Sequence, residues 1–245
     1  MSSRLPEETT KIKRPCLSIR VARCVAELRS MANPANVKGM ARYGISTAGT
    51  LGVTVAAVRV MARKIGHDRD LARRLWASGI HEARILSCLL DEPGTITRRE
   101  LNARVRDIDS WDVCDLFCNN LVVDVPFAWK LAGDWAKRRA EFVRRAGFST
   151  LASLAVHDHA AADDVFIAVL PLIVAAADDD RTYIRKAVNW ALRSIGKRNQ
   201  RLRQAALTTA YTLRKRPSRS ARWIATDAIR ELTDPDIVAR IKTRK

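Results

Sequence analysis

The sequence predicts an all-α protein built as an α-solenoid of antiparallel helix pairs. Turn-forming residues recur about one helix length apart, and no stretch alternates apolar and polar residues as a half-buried strand requires. Roughly ten or more helices of about 12 to 18 residues with short loops favour a stack of pairs over one bundle. The expected breaks are Asn33-Pro34, 44–52, Gly66, Pro93-Gly94, Pro126, Gly133, 178–180, Pro217 and Pro235.

The composition indicates an acidic partner. The chain has 245 residues, 47% of them apolar, which is enough for a core without metal or disulfide. Lys and Arg total 44 against 26 Asp and Glu, a formal net charge of +18. This charge favours nucleic acid, although membrane-surface proteins and some cationic enzymes share it. Residues 181–245 contain 18 cations and 4 acids, so we expect this part to face phosphates.

The ends of the chain and its cysteines predict a cytoplasmic protein. Residues 1–14 are polar and aperiodic, so we interpret them as a flexible basic arm preceding one domain over 15–245. Neither an apolar signal segment nor a run of 18 apolar residues occurs, which predicts no membrane span. Five cysteines without a C-x-x-C pair indicate reduced, buried thiols. They are Cys16, Cys24, Cys88, Cys114 and Cys118.

Residues 178–199 show how one predicted helix is built, with Asp180 expected as its N-cap. The apolar stripe comprises Ile184, Ala187, Val188, Ala191, Leu192 and Ile195. The opposite face carries Arg185, Lys186, Asn189, Trp190, Arg193 and Lys197. On that cationic face Trp190 is either covered by the next helix pair or presented to nucleic acid, and we favour the second interpretation.

Two further segments supply candidate site residues. In DIDSWDVCDLFCNN, Asp109 or Ser110 is the expected cap of a helix that places Trp111 and Asp115 on one face, although a solvated or ion-paired Asp115 is an alternative. In GDWAKRRAEFVRRAGF, Asp134 is the expected N-cap of a cationic helix. Its cations are phosphate contacts or solvated charge, and they are Lys137, Arg138, Arg139, Arg144 and Arg145.

These residues resemble the AlkD-type alkylpurine DNA glycosylases, a HEAT-like repeat family, from about Leu17 to the C-terminus. The most specific matches are S-W-D-x-x-D at 110–115, W-x-x-R at 135–138 and Y-I-R-K-A-x-x-W-A-L-R at 183–193. Ser110 stands at the second position of a pair that is aromatic in the family, and Arg139 stands where the family commonly has a small polar residue. The resemblance implies a curved solenoid of HEAT-like antiparallel helix pairs with a basic concave face.

The resemblance also implies a site and a reaction. It places Asp115, Trp111, Trp190 and Arg138 in the concave cleft, where the enzyme hydrolyses the N-glycosidic bond of N3- or N7-alkylated purines in double-stranded DNA without flipping the base. Asp115 would stabilise the cationic transition state and position water, the indoles would flank the sugar, and Arg138 would hold a phosphate. The further DNA-binding residues we expect are Arg185, Lys186, Arg193, Lys197, Arg139 and Arg145.

Two alternatives to a monofunctional glycosylase are a non-catalytic HEAT-repeat protein that recognises damaged or branched DNA and a protein adaptor. We expect no cofactor and no metal, since His81-Glu82 lacks the second His of a zinc motif. Gly49-x-x-Gly52 lacks the Lys-Ser/Thr of a P-loop. We expect a monomer that does not bind membranes.

Overall fold

The computed structural model describes residues 15–243, which form 14 α-helices, one 3₁₀-helix and no strand. The predicted all-α solenoid is confirmed, whereas the predicted arm, residues 1–14, lies outside the described residues. The helices are α1 (Leu17–Ser30), α2 (Pro34–Arg42), α3 (Val55–Ile65), α4 (Arg69–Ala77), α5 (His81–Leu90), α6 (Arg98–Arg104), α7 (Trp111–Asn120), α8 (Ala128–Ala136), α9 (Glu141–His157), α10 (Asp163–Ala176), α11 (Thr182–Gly196), α12 (Gln200–Arg214), α13 (Arg219–Leu232) and α14 (Pro235–Thr243).

The helices pack as two layers around one continuous apolar core. Helices α3, α5, α7, α9, α11 and α13 lie side by side in that order and form what we call the inner layer. Helices α8, α10 and α12 form a second row, the outer layer, and each packs on the inner-layer helix that follows it. The core fills the space between the layers from Leu28 in α1 to Leu232 in α13.

Local capping fixes where many helices begin. The side chains of Thr54, Asp68, Asn199 and Ser218 accept backbone N–H groups at the starts of α3, α4, α12 and α13. Each such cap typically stabilises a helix by about 1 kcal/mol.

Three local predictions were wrong. Gly133 lies inside α8 rather than at a break, and the packing of α8 on the core offsets the roughly 1 kcal/mol that glycine costs a helix. Asp134 also lies inside α8, so it is not an N-cap. Arg181, not Asp180, occupies the N-cap position of α11. The predicted cationic helix is thus two helices, with residues 137–140 between them.

Helices α8 and α9 approach each other closely at Gly147. A Cβ atom at this position would collide with the backbone of Ala136. The absence of a side chain therefore lets α9 pack against the end of α8, which sets the position of α9 in the inner layer.

Four of the five cysteines are buried free thiols, and burial raises the pKa of Cys88 to about 12. Cys16 is exposed, contrary to the prediction of a buried thiol, because it lies at the N-terminal edge of α1. No helix within residues 15–243 is both long and apolar enough to cross a membrane. The same residues contain no cluster of His, Cys, Asp or Glu suited to a metal ion.

The loop between α2 and α3 is fixed by one buried carboxylate. Glu82 in α5 accepts the backbone N–H groups of Leu51 at 2.9 Å, Gly52 at 2.7 Å and Val53 at 3.1 Å. Gly52 has a φ of 80°, and a Cβ there would collide with the carbonyl oxygen of Asn33. Both features hold residues 43–54 against the inner layer.

We expect Glu82→Gln to destabilise the protein by about 3 kcal/mol, because an amide offers one acceptor oxygen to three donors and brings two N–H groups of its own. Thermal unfolding and limited proteolysis of residues 43–54 measure this effect. The control is Glu27→Gln on the exposed face of α1. Equal stability of the two variants would contradict the assigned role of Glu82.

Candidate active site

Asp115 in α7 is held by two side chains of α9. Arg145 donates from Nε to Oδ1 at 3.0 Å and from Nη2 to Oδ2 at 2.7 Å, and the Ser149 hydroxyl donates to Oδ1 at 2.8 Å. The Asp115 side chain is 22% exposed, so part of the carboxylate reaches solvent. Oδ2 carries one hydrogen bond against two on Oδ1, which leaves Oδ2 the freer oxygen.

Arg145 is buried and remains charged. Only 5% of the residue is exposed, and its Nη1 donates to the carbonyl oxygen of Tyr183 in α11 at 2.6 Å. Burial lowers the pKa of Arg145, but the neighbouring Asp115 carboxylate outweighs burial and raises the pKa above its usual value. Arg145 therefore does not lie on the DNA-facing surface where the sequence analysis expected it, but beneath Asp115.

Trp111 lies one helical turn before Asp115 and is tied to the loop between α2 and α3. Its indole N–H donates to the carbonyl of Tyr43 at 3.0 Å, and the Arg145 guanidinium lies 5.8 Å from its ring centroid. The Tyr183 hydroxyl donates to the next carbonyl, that of Gly44, at 2.8 Å. Residues 43 and 44, which we call the strap, thus link α7 to α11 beside Asp115.

Trp190 is half-buried in a separate recess of about 980 Å³. The recess is bounded by Val156 of α9, by His159 and by the cations Lys197 and Arg198. Val156 follows Ser149 by seven residues, so both side chains lie on the same face of α9. Ser149 and Val156 are about 10 Å apart along the helix axis. One wall of the recess therefore lies on the face of α9 that contacts Asp115, but Trp190 is not among the contacts of Asp115.

Arg138 and Arg139 lie exposed in the connection between α8 and α9. Within residues 15–243 neither guanidinium has a hydrogen bond or an ion pair, and the same holds for the exposed ammonium of Lys186 in α11. Arg138 is thus not brought into contact with Asp115. These three cations are available to a dissolved anion.

The remaining expected DNA-binding residues lie along the boundary of α11 and α13. Arg193 pairs with Asp227 and Glu231, both at 2.8 Å, and Lys197 pairs with Glu231 at 2.6 Å. Arg185 lies over the ring of Trp223, 4.7 Å from its centroid. Arg193 and Lys197 are therefore partly neutralised, whereas Arg185 is not.

Sequence reasoning missed three residues of this site. Ser149 and Tyr183 were placed in no role, because nothing in the linear pattern shows that they meet Asp115 and Arg145. Tyr43 is 76% exposed beside Trp111. Tyr43 lies in ARYGIS, residues 41–46, which resembles part of the family's early helices, and this was the one signal that could have pointed to it.

The two layers of helices define a HEAT-like repeat fold. Its inner layer contains the fixed, partly exposed Asp115 carboxylate. The sequence model of the DNA alkylation repair enzyme family matches residues 24–232. The chain therefore belongs to the family of DNA alkylation repair enzymes, and the resemblance to AlkD-type proteins is confirmed.

Two solved structures are similar to the chain. The first belongs to a family related to the HEAT-like repeat DNA glycosylases with affinity for branched DNA structures; it has a TM-score of 0.74 and 17% identity and covers 92% of this chain and 97% of its own. This likeness shows the fold. The second is a designed armadillo repeat protein in complex with the peptide (KR)4, with a TM-score of 0.37, 14% identity and coverages of 76% and 79%. No curated protein matches this chain.

The strap generates a prediction about Gly44, which has a φ of 71° and whose added Cβ would collide with the Tyr183 hydroxyl. We expect Gly44→Ala to cost about 1–2 kcal/mol through backbone strain alone, and more through the collision. Tyr183→Phe removes that hydroxyl, so the double variant should lose less stability than the sum of the single variants. Thermal unfolding of all four proteins measures the coupling.

Gly66→Ala is the matched control for this cycle. Gly66 has a φ of 75°, but nothing lies within 4 Å of its added Cβ. Its cost should therefore add to that of Tyr183→Phe without coupling. Additive behaviour at Gly44 as well would contradict the contact between the strap and α11.

Proposed function

We propose that this protein is a monofunctional DNA glycosylase that hydrolyses the N-glycosidic bond of N3- or N7-alkylated purines in double-stranded DNA. The observation that carries the proposal is the Asp115 carboxylate, fixed by three donors, partly exposed and one turn from the half-buried indole of Trp111. A carboxylate that is already oriented stabilises developing positive charge without reorganising.

The reaction requires little more than such a carboxylate. Alkylation leaves the base cationic, so the bond between the sugar C1′ and the base nitrogen breaks with its electron pair going to the base. Positive charge then develops on the deoxyribose, beside Oδ2 of Asp115. Water adds its oxygen to C1′ and loses a proton, which the carboxylate can accept or direct to solvent. Neutral base and a free sugar hydroxyl result.

Each neighbouring residue has a proposed role. Trp111 packs against the lesion's sugar, and Trp190, in its own recess, contacts the strand further along. Arg138 holds a flanking phosphate, with Arg139 and Lys186 as further backbone contacts, because all three are exposed and without an ionic partner among residues 15–243. Arg193 and Lys197 contribute less, since acids already share their charge. Arg145, on the buried side of Asp115, positions the carboxylate through two hydrogen bonds.

A second candidate function is recognition of branched or damaged DNA without catalysis. One observation favours it: the ion pair with Arg145 balances the charge of Asp115 and weakens the field the carboxylate applies to a substrate. One of the similar solved structures comes from a family with affinity for branched DNA. Both candidates use the same basic inner layer and differ only in whether the base is released.

Asp115→Asn tests the glycosylase directly. We expect release of 7-methylguanine from duplex DNA to fall by roughly 100-fold or more, with duplex affinity retained, because the amide carries no charge. Exposed Asp124→Asn is the control for removal of one acid. Full activity of Asp115→Asn would remove this residue from the mechanism. If wild-type protein releases no base but prefers branched DNA to duplex, the second candidate holds.

The loss must be separated from misfolding, because an unpaired buried guanidinium costs about 3–5 kcal/mol. The double variant Asp115→Asn/Arg145→Gln removes both charges and should unfold at a higher temperature than Asp115→Asn. We expect it to remain inactive. Recovery of activity in the double variant would show that Asp115 acts through stability alone.

Ser149→Ala tests whether a fixed carboxylate matters. We expect the single-turnover rate to fall roughly ten-fold through loss of one hydrogen bond to Asp115, with DNA affinity unchanged. Ser153→Ala is the matched control, since Ser153 is also buried on α9 but donates to the Ser149 carbonyl instead. Equal rates in the two variants, or a loss of affinity in place of rate, would contradict a positioning role for Ser149.

A further inference from the structure

A ladder of paired side chains runs along the boundary between α11 and α13. On α11 the residues at positions 185, 189, 193 and 197 are four apart and share one face. Opposite them, Asp227 accepts from Asn189 at 2.7 Å and from Arg193 at 2.8 Å, and Glu231 accepts from Lys197 at 2.6 Å. These rungs match Arg193 and Lys197 with carboxylates of α13.

The Asp227 carboxylate is held in its ionised form by its partners. Burial raises the pKa of Asp227, but Asn189 and Arg193 outweigh it and hold the pKa below its usual value. Arg230 contacts the same carboxylate from the other side. Arg193, Lys197 and Arg230 thus share two carboxylates, so the charge of these two rungs is largely compensated.

The first rung breaks this pattern. Four residues before Asp227, where the ladder calls for an acid, α13 has Trp223, and the Arg185 guanidinium lies over its ring. A cation over an indole is stabilised without being neutralised. Within residues 15–243 nothing accepts a hydrogen bond from the Arg185 guanidinium, and its Nε is enclosed without a partner. Arg185 thus keeps its full charge and its outer N–H groups.

The surroundings of this rung add charge and exposed aromatic surface. Trp223 is 39% exposed, although a large aromatic side chain gains most from burial. Arg219 and Arg222, which lie one turn before Trp223 and next to it on α13, are exposed, as is Lys186, which follows Arg185 on α11. If Arg185 and Trp223 served only to join α11 to α13, none of this exposed surface would be needed. A ligand that has both an anionic group and an apolar portion fits Arg185 and Trp223 together.

We propose that Arg185 and Trp223 form a subsite for one nucleotide of a DNA strand, at a second point of the inner layer beyond the Asp115 site. The Arg185 guanidinium binds the phosphate, and the sugar or base of the same nucleotide lies against the exposed part of the Trp223 ring. Charge complementarity selects the occupant, since the patch is cationic and a DNA strand repeats a phosphate at each nucleotide. The inference rests on the proposed DNA binding but not on base excision.

Trp223→Glu is the decisive variant. A carboxylate at 223 would continue the ladder by pairing with Arg185, so the variant should fold at least as stably as wild type while its subsite is neutralised. We expect affinity for undamaged duplex to fall about ten-fold and the slope of log affinity against log salt to decrease by about one. Trp223→Phe keeps an aromatic face and should bind within about three-fold of wild type.

Tyr211→Glu is the matched control. Tyr211 is an exposed aromatic residue of α12 with the Arg214 guanidinium 5.0 Å from its ring centroid, but it lies on the outer layer. Tyr211→Glu introduces the same change in charge beside the same kind of cation–aromatic pair. Its DNA affinity should stay near that of wild type. Equal affinities of Trp223→Glu and Tyr211→Glu would overturn the subsite.

A third protein separates this failure from failure of DNA binding itself. Lys186→Glu alters an exposed cation of the same layer without touching the rung. If Lys186→Glu weakens binding and Trp223→Glu does not, the subsite alone is wrong. If wild-type protein does not bind duplex at low salt, the proposed function fails and the subsite with it.

Discussion

One buried guanidinium holds three consecutive helices of the inner layer in register. From α9, Arg145 grips the Asp115 carboxylate of α7 with two parallel hydrogen bonds and the Tyr183 carbonyl of α11 with a third. Only arginine has a planar fork with enough donors for both tasks, since lysine is a point donor on a flexible stem. Burying the Arg145 charge is costly. The ion pair with Asp115 is neutral overall and the guanidinium is fully hydrogen-bonded, and both features offset that cost. The site and the strap are arranged around this contact.

The same contact shapes the chemistry of the site. Arg145 and Ser149 occupy the inner side of the carboxylate and direct Oδ2 outward, so the orientation of the acid is built into the fold rather than achieved on substrate binding. For the proposed base excision, this balanced charge would suit a substrate that already carries a good leaving group, for which moderate stabilisation of the transition state suffices.

The sequence predicted the helical stack because periodicity and breaks are local properties of the chain. It also singled out Trp111 and Asp115, which lie on one turn of one helix. It misplaced the helix boundaries around Asp134, where the packing of α8 overrides the preference of Asp for caps. The burial of Arg145 and the roles of Ser149 and Tyr183 could not be predicted, because each depends on contacts across 30 or more positions. The pattern of residues along one sequence contains no information on such long-range contacts.

The strap changes the behaviour expected of a repeat array. In an open solenoid each repeat touches only its neighbours, so folding can begin anywhere and spread. Here the hydrogen bond from Tyr183 to Gly44 spans 139 positions. During synthesis this contact cannot form until α11 has left the ribosome, by which time the N-terminal helices have long been exposed. The contact between the strap and α11 therefore forms only when most of the chain has been made, after the helices that precede α11.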